Sequence, residues 1–166
     1  MSGDTRQRSI IKTMTAATRS FMVALAVGLA AATSVPAADE KPHRIAIQVD
    51  QDDPAVMNLA LNNAENVIEY YRGRGEDVDV EIVAYGPGLH MLRVDTSPVK
   101  DRVTRIADDK ASFPARVVFS ACDNTRQNME RREGHPIAIV SQATIVPSGI
   151  VRLIQLQEQG WSYVRP

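Results

Sequence analysis

The single cysteine of this 166-residue chain is the residue whose type and position most directly suggest chemistry. Cys122 directly follows the apolar run 116–121 (RVVFSA), and it precedes three residues of types that cap helices, Asp123, Asn124 and Thr125. We therefore expect the thiol between a strand end and a helix start, where free N–H groups and the helix dipole favour the thiolate. Such a thiolate is a nucleophile or a sulfur carrier, although the Asp123 carboxylate opposes its charge. The alternative is an inert buried thiol.

Candidate partners of the thiol lie in other polar or glycine-rich segments. His90 ends the loop 86–90 (GPGLH) and is a candidate base or orienting group for the thiol, if that loop neighbours Cys122. The alternative is a histidine that faces solvent. The predicted catalytic residues are therefore Cys122 and His90, and the predicted binding residues are Asn124, Thr125, Gly86, Gly88 and Ser148.

Several other kinds of site lack the required spacing. No HxH, HExxH or acidic cluster with ligand spacing is present, and Asp50, Asp52 and Asp53 are more typical of helix capping than of cation binding. The loop 86–90 has neither the GxGxxG nor the P-loop pattern, and a lone cysteine excludes a cysteine-rich zinc site. We expect no metal and no cofactor. His43 and His135 are expected at the opposite, amino ends of strands.

Strands and helices are predicted to alternate along the chain and to position these residues. Short apolar runs predict strands, and apolar residues at 3.6-residue spacing predict helices. Asp53 and Ser97 are the expected caps of the first two helices, and the strand 78–84 (VDVEIVA) is expected to have a partly exposed face or end. The strands are 44–49, 78–84, 116–121, 137–146 (one long strand, or a strand plus a turn) and 161–164, and the helices are 54–72, 98–109, 123–133 and 149–159.

This alternation predicts one three-layer α/β/α domain with a mostly parallel five-stranded sheet. Ligands of such sheets bind beyond the carboxyl ends of the strands. The rule brings four loops to one edge, although the strand order that decides which of them are adjacent is open. The loops are 50–52, 86–90, 122–125 and 147–149.

The first 37 residues have the pattern of a secretory signal peptide. A basic segment precedes the apolar run 21–32, which is roughly half as long as a transmembrane helix requires. Val35 and Ala37 are small residues at the −3 and −1 positions of a cleavage site. We expect cleavage after Ala37, a periplasmic or secreted domain over residues 38–166, and no stable membrane anchor. The alternative is an N-terminal anchor or a core helix.

The charge balance excludes a strongly basic nucleic-acid binder. The chain has 19 Lys and Arg against 20 Asp and Glu, and removal of the basic leader makes the remainder mildly acidic. We therefore expect no nucleic-acid partner.

Four segments together resemble the DsrE/DsrF-like family, and the resemblance covers residues 43–166. It implies a small α/β/α domain with a parallel five-stranded sheet that assembles into trimers or hexamers. In the sulfur-trafficking members, a cysteine at the position of Cys122 carries persulfide sulfur between partner proteins. The segments are RIAIQVD (44–50), YGPGLHML (85–92), FSACDNT (119–125) and VPSGIVRLIQLQEQGWSYVRP (146–166).

Two main hypotheses follow, and they leave open whether the protein is an enzyme. The first is an exported sulfur carrier in which Cys122 accepts persulfide sulfur, with His90 and the N–H groups of Asn124 and Thr125 as candidates to stabilise the thiolate. A sulfur-relay protein would then be its partner. The second is a non-catalytic, oligomeric module that binds a small ligand or another protein. A disulfide between two copies of the chain is a third reading.

Overall fold

The computed structural model describes residues 42–109 and 116–166, and the predicted signal peptide lies outside them. Strands and α-helices alternate along these residues, and the segment Gly86–Leu92 forms a 3-10 helix. No helix of the described part is long and apolar enough to cross a membrane. The elements are β1 His43–Val49, α1 Pro54–Gly73, β2 Val78–Ala84, α2 Lys100–Asp108, β3 Arg116–Cys122, α3 Asp123–Glu133, β4 Ala143–Val146, α4 Gly149–Glu158 and β5 Ser162–Val164.

The five strands form one sheet in the order β4-β3-β2-β1-β5, and every neighbouring pair is parallel. The predicted α/β fold with a five-stranded parallel sheet is therefore confirmed. The central strand β2 is almost continuously buried because helices cover the sheet on both faces. The carboxyl ends of all five strands consequently lie at one edge.

The first face of the sheet carries the large core. Ile47, Ile82 and Phe119 project from three neighbouring strands and are fully buried in one cluster with Met57 and Leu61 of α1. Helices α2 and α3 and the 3-10 helix add apolar side chains to the same cluster.

The second face is covered by α4. Ala46 and Val83, which alternate with the residues of the first face, pack against Leu153 and Leu156 of that helix. The same face buries the carboxylate of Glu81, whose side chain is 2% exposed. Of the two expected alternatives for β2, the partly exposed face is wrong at Glu81, because α4 lies over it and supplies Arg152 as a counter-ion. The amino end of the strand is partly exposed, at Asp79.

The first helix follows the sequence prediction closely. The carboxylate of Asp53 accepts a hydrogen bond from the N–H of Ala55 at 2.8 Å, and Pro54 is the first helical residue. The helix ends at Gly73, and Gly75 then adopts a φ of 71°, a left-handed conformation that favours glycine.

The second helix begins later than predicted, at Lys100, and Ser97 is not its cap. The Ser97 hydroxyl donates to the carbonyl of Met91 at 2.6 Å and accepts from the N–H of Val99 at 3.3 Å. Ser97 therefore closes the turn that leaves the 3-10 helix.

The prediction of one long strand over 137–146 is wrong, because only Ala143–Val146 joins the sheet. Ile139 instead forms an isolated antiparallel bridge with Arg93, which follows the 3-10 helix. A turn separates the bridge from β4, as the alternative reading of a strand plus a turn proposed.

Candidate functional site

Cys122 lies at the predicted junction, as the last residue of β3 and the N-cap of α3. Its Sγ accepts a hydrogen bond from the N–H of Thr125 at 3.4 Å. The thiol sulfur therefore occupies the capping position that the sequence assigned to the polar residues after it. The residue is buried, with 4% of its surface exposed.

The carboxylate of Asp123 is hydrogen-bonded by two side chains of α3 itself. It accepts hydrogen bonds from Arg126 Nε at 2.9 Å, from Arg126 Nη2 at 2.6 Å and from Gln127 Nε2 at 2.6 Å. The hydrogen bonds from Arg126 lower the pKa of Asp123 below its usual value. Its negative charge is thus compensated locally, which weakens its opposition to a thiolate at Cys122.

Two of the predicted loops meet α3 directly. The hydroxyl of Thr125 accepts a hydrogen bond from the N–H of Gly86 at 2.9 Å, which ties the start of α3 to the start of the 3-10 helix. The N–H of Asn124 donates to the carbonyl of Pro147 at 3.3 Å. Of the two backbone groups predicted to stabilise a thiolate, only that of Thr125 reaches the sulfur.

Gly88 and Ser148 have structural explanations. A Cβ atom on Gly88 would lie 2.2 Å from the carbonyl oxygen of Val49, so the absence of a side chain lets the 3-10 helix lie against the end of β1. The side chain of Ser148 makes no capping hydrogen bond, although its carbonyl accepts from the N–H of Arg152 at 2.9 Å in the first turn of α4. Both residues therefore have roles in the backbone structure at this edge of the sheet, and neither role indicates a ligand.

His90 lies on the 3-10 helix and forms no hydrogen bond with the thiol of Cys122. Its Nδ1 is 2.8 Å from the hydroxyl oxygen of Thr96, and its Nε2 is 3.9 Å from a carboxylate oxygen of Asp52. The structure therefore gives both ring nitrogens other neighbours, and a direct base–thiol pair is not formed.

A cavity of about 640 Å³ lies where the loop after β1, the 3-10 helix and α3 meet. It brings together His90, Gly86 and Thr125 from the predicted set, whereas Cys122 does not line it. Sequence reasoning missed the contribution of α3. The sequence did contain a signal, because residues 125, 128, 129 and 132 lie on one face of the predicted helix and three of the four are polar. The cavity is lined by Asp52, Gly86, Pro87, His90, Thr125, Asn128, Met129, Arg131 and Arg132.

Residues on the second face of the sheet form a polar network near the carboxyl ends of β1 and β5. Gln48 donates to Asp50 at 2.8 Å and accepts from the hydroxyl of Tyr163 at 2.6 Å, and Arg165 donates to Asp50 at 3.2 Å. Burial raises the pKa of the neighbouring Tyr85, and the charge of Asp50 raises it further. Asp50 is thus engaged in hydrogen bonds within the protein.

No group of three or more His, Cys, Asp or Glu side chains within residues 42–109 and 116–166 is arranged to hold a metal ion. His43 lies at the amino end of β1, stacked on Tyr71 at 3.8 Å and paired with Glu76 at 2.9 Å. His135 follows α3, where its Nε2 is 3.5 Å from Glu133. Both are away from the edge that carries Cys122.

No family model and no curated protein matches this chain. Among solved structures, it is similar to a protein of unknown function, MTH1491 from Methanobacterium thermoautotrophicum. The two share 29% sequence identity with a TM-score of 0.62, and the alignment covers 75% of this chain and 99% of that chain. The likeness supports the α/β fold and assigns no activity.

Proposed function

We propose that this protein is a DsrE/DsrF-like sulfur carrier in which Cys122 holds sulfane sulfur as a persulfide. The observation that carries the proposal is the placement of the thiol at the β3–α3 junction, where it accepts the N–H of Thr125. The five-stranded parallel sheet agrees with the architecture that the sequence resemblance implies. The N-terminal sequence pattern adds the proposal that the carrier acts in the periplasm or outside the cell.

The transfer needs no cofactor and no net oxidant. The Cys122 thiolate attacks the outer sulfur of a donor persulfide, so that the new S–S bond forms as the donor's S–S bond breaks and the donor leaves as a thiolate. The proton lost from Cys122 is taken up by the departing thiolate or by water. An acceptor thiolate then attacks the outer sulfur on Cys122 and regenerates the starting thiol.

The backbone around Cys122 suits an anionic sulfur. The N–H of Thr125 donates to the sulfur of Cys122 and, with the positive end of α3, stabilises negative charge on the thiolate. Because Arg126 compensates Asp123, the first turn of α3 does not carry an unscreened negative charge beside the sulfur. Sulfur transfer then requires a small opening at the junction, since the side chain is buried.

The outer face of α4 supports self-association. Ile150, Val151 and Ile154 are each about half exposed, although they lie on a helix whose opposite face is packed against the sheet. Exposed apolar residues clustered on one element are typical of a protein–protein interface. We therefore propose that α4 takes part in a homo-oligomer, a trimer or hexamer as the resemblance implies, or contacts a relay partner.

The carrier function is tested by intact mass spectrometry after exposure of the folded protein to a polysulfide donor. We expect a mass gain of one sulfur atom on wild-type protein and none on Cys122→Ser, which keeps a capping side chain without the thiol. Dithiothreitol should remove the added sulfur. Absence of the adduct from folded protein, together with its formation on protein unfolded in urea, would contradict the proposal.

A second candidate function, a small-ligand-binding module without sulfur chemistry, is favoured by the cavity beside His90. The volume of this cavity lies within the range of sites that hold small molecules. Because Cys122 does not line it, Cys122→Ser should leave ligand binding intact under this function. Loss of binding in that variant would instead connect the ligand to the thiol.

A further inference from the structure

The face of α3 that looks into the cavity is polar where a packed helix would be apolar. Thr125, Asn128, Met129 and Arg132 follow the spacing of one helix face, and Met129 is the buried member of the set. The opposing wall is the 3-10 helix, which the hydrogen bond from Gly86 to Thr125 holds beside α3. The two walls therefore border a cleft that is open to solvent on its outer side.

The charge at this cavity is predominantly positive. Arg131 donates to the neutral amide oxygen of Asn128, and within the described residues no carboxylate pairs with Arg131 or Arg132. The acidic side chain that lines the cavity is Asp52, which is more than half exposed to solvent.

The acidic residues of α3 itself are occupied elsewhere. Asp123 and Glu130 each pair with Arg126 at 2.6 Å. Glu133 pairs with the buried Arg93 at 2.7 Å. The guanidinium groups of Arg131 and Arg132 are therefore available to an anion from outside the protein.

The walls are held in place before any ligand arrives. Arg93 follows the 3-10 helix and makes paired hydrogen bonds to Glu133, the last residue of α3, at 2.7 and 2.8 Å. This ion pair and the Gly86–Thr125 bond tie the 3-10 helix to both ends of α3. A preorganised site binds a ligand with a smaller loss of conformational entropy.

We propose that the cavity binds an organic anion, with its acidic group on Arg131 and Arg132 and its apolar part against Met129 and Pro87. A volume of about 640 Å³ is far larger than an inorganic oxyanion needs, which favours an organic ligand. Guanidinium groups are the side chains best suited to bind planar or tetrahedral oxyanions. The inference deepens the second candidate function and does not depend on the chemistry of Cys122.

The test compares two probes of nearly equal shape, benzenesulfonate and the neutral benzenesulfonamide, by titration of the ¹⁵N-labelled protein followed by NMR. We expect benzenesulfonate to shift the amide signals of residues 86, 88–90 and 125–132 saturably, with an affinity about tenfold or more above that of benzenesulfonamide, the ratio expected from loss of a charge-assisted hydrogen bond. The double variant Arg131→Gln/Arg132→Gln should lose this preference.

The matched control is Arg116→Gln, which removes an exposed arginine at the opposite, amino end of β3. It should bind benzenesulfonate as the wild type does. Equal affinity for the two probes would overturn the anion assignment while leaving the binding-module function standing. Failure of both probes to shift these amides would overturn both, and neither result bears on persulfide formation at Cys122.

Discussion

The two faces of the sheet are stabilised in different ways. On the first face, aliphatic and aromatic side chains such as Leu61 and Phe119 form one extensive cluster beneath α1 and α2. On the second face, α4 contributes a much smaller apolar cluster and covers a buried carboxylate. Glu81 there accepts hydrogen bonds from Ser120 at 2.6 Å and from Arg152 at 2.7 and 2.6 Å.

The difference indicates that the second face determines the orientation of its helix, α4, more strictly than the first face does. Apolar contacts stabilise many relative positions of two elements, whereas the paired hydrogen bonds between Arg152 and Glu81 require one. Helix α4 also exposes apolar side chains on its outer surface. The loop that leads into it accepts the N–H of Asn124, beside the capping cysteine. On the second face, α4 is therefore oriented by an ion pair and exposes apolar side chains to solvent. Its preceding loop is hydrogen-bonded to Asn124, two residues after the thiol.

The largest expected effect comes from separating the charges on the second face. Arg152→Met leaves the Glu81 carboxylate buried without its counter-ion, so we expect the free energy of unfolding to fall by about 3–5 kcal/mol. Urea denaturation measures this loss. The exposed Arg105 gives a control, since Arg105→Met should change stability by about 0.5 kcal/mol or less.

The double variant Glu81→Met/Arg152→Met separates the role of charge from that of packing. It should be more stable than Arg152→Met alone, because it leaves no unpaired carboxylate buried at position 81 beneath α4. A double variant as unstable as the single one would show that the arginine stem, and not the ion pair, holds α4.

Removal of the buried Arg93 side chain should lower the free energy of unfolding less than removal of Arg152. Arg93 is 2% exposed, but its partners Asp95 and Glu133 are 48% and 34% exposed and regain water when it is removed. We expect Arg93→Met to cost about 2 kcal/mol, less than Arg152→Met, by the same denaturation experiment. A cost equal to or larger than that of Arg152→Met would contradict this contrast between a buried anion and a buried cation.

Features that depend on neighbouring residues could be predicted from the sequence, whereas features that depend on tertiary contacts could not. Hydrophobic periodicity was sufficient for the alternating elements, and the Asp53-Pro54 start of α1 depends only on neighbouring residues. The burial of Glu81 was not predictable, because it requires α4 to bring Arg152 across 71 positions of sequence. The reading of 137–146 as one long strand is wrong for a related reason, since Ile139 pairs with Arg93 and not with the sheet.

For the candidate site, the sequence likewise predicted the position of a residue in the fold but not the side chains around it. The position of Cys122 at a strand–helix junction follows from local sequence alone. Which side chains surround a site depends on tertiary packing, so the pairing of His90 with the thiol was not formed and the arginines of α3 were overlooked. Their polar helical face was visible in the sequence, but nothing local showed that the 3-10 helix would oppose it.

A pH series tests the ion pair between Arg93 and Asp95 separately from the pair with Glu133. Hydrogen bonds from Arg93 lower the pKa of Asp95 from 3.8 to about 2. Because the folded-state pKa is depressed, the stabilising contribution of Asp95 is present above pH 3.8 and is lost as the pH falls towards 2. The stability difference between wild type and Asp95→Asn in urea should therefore be constant near neutrality and shrink over that interval. A difference that persists unchanged to pH 2 would contradict the pairing.

The smallest effect on folding is expected at the outer surface of α4. Ile154→Glu should change the stability of the subunit by about 0.5 kcal/mol or less, because the side chain is half exposed. The same change should shift sedimentation equilibrium towards the monomer if α4 forms the subunit interface. Gln155→Glu adds the same charge without removing an apolar side chain and should leave the assembly intact. Unchanged association in Ile154→Glu would place the interface elsewhere.

The carrier role of Cys122 is tested most directly by whether the thiol at the β3–α3 junction reacts in the folded protein. The measurement is the rate of Cys122 alkylation by iodoacetamide at neutral pH, in increasing urea below the unfolding transition. We predict a rate that is independent of urea at low concentration, because a small opening of the first turn of α3 exposes little surface. A rate that rises with urea from the start, with the full slope of global unfolding, would show that the thiol is sealed in the native fold and would contradict the role of Cys122 as a sulfur carrier.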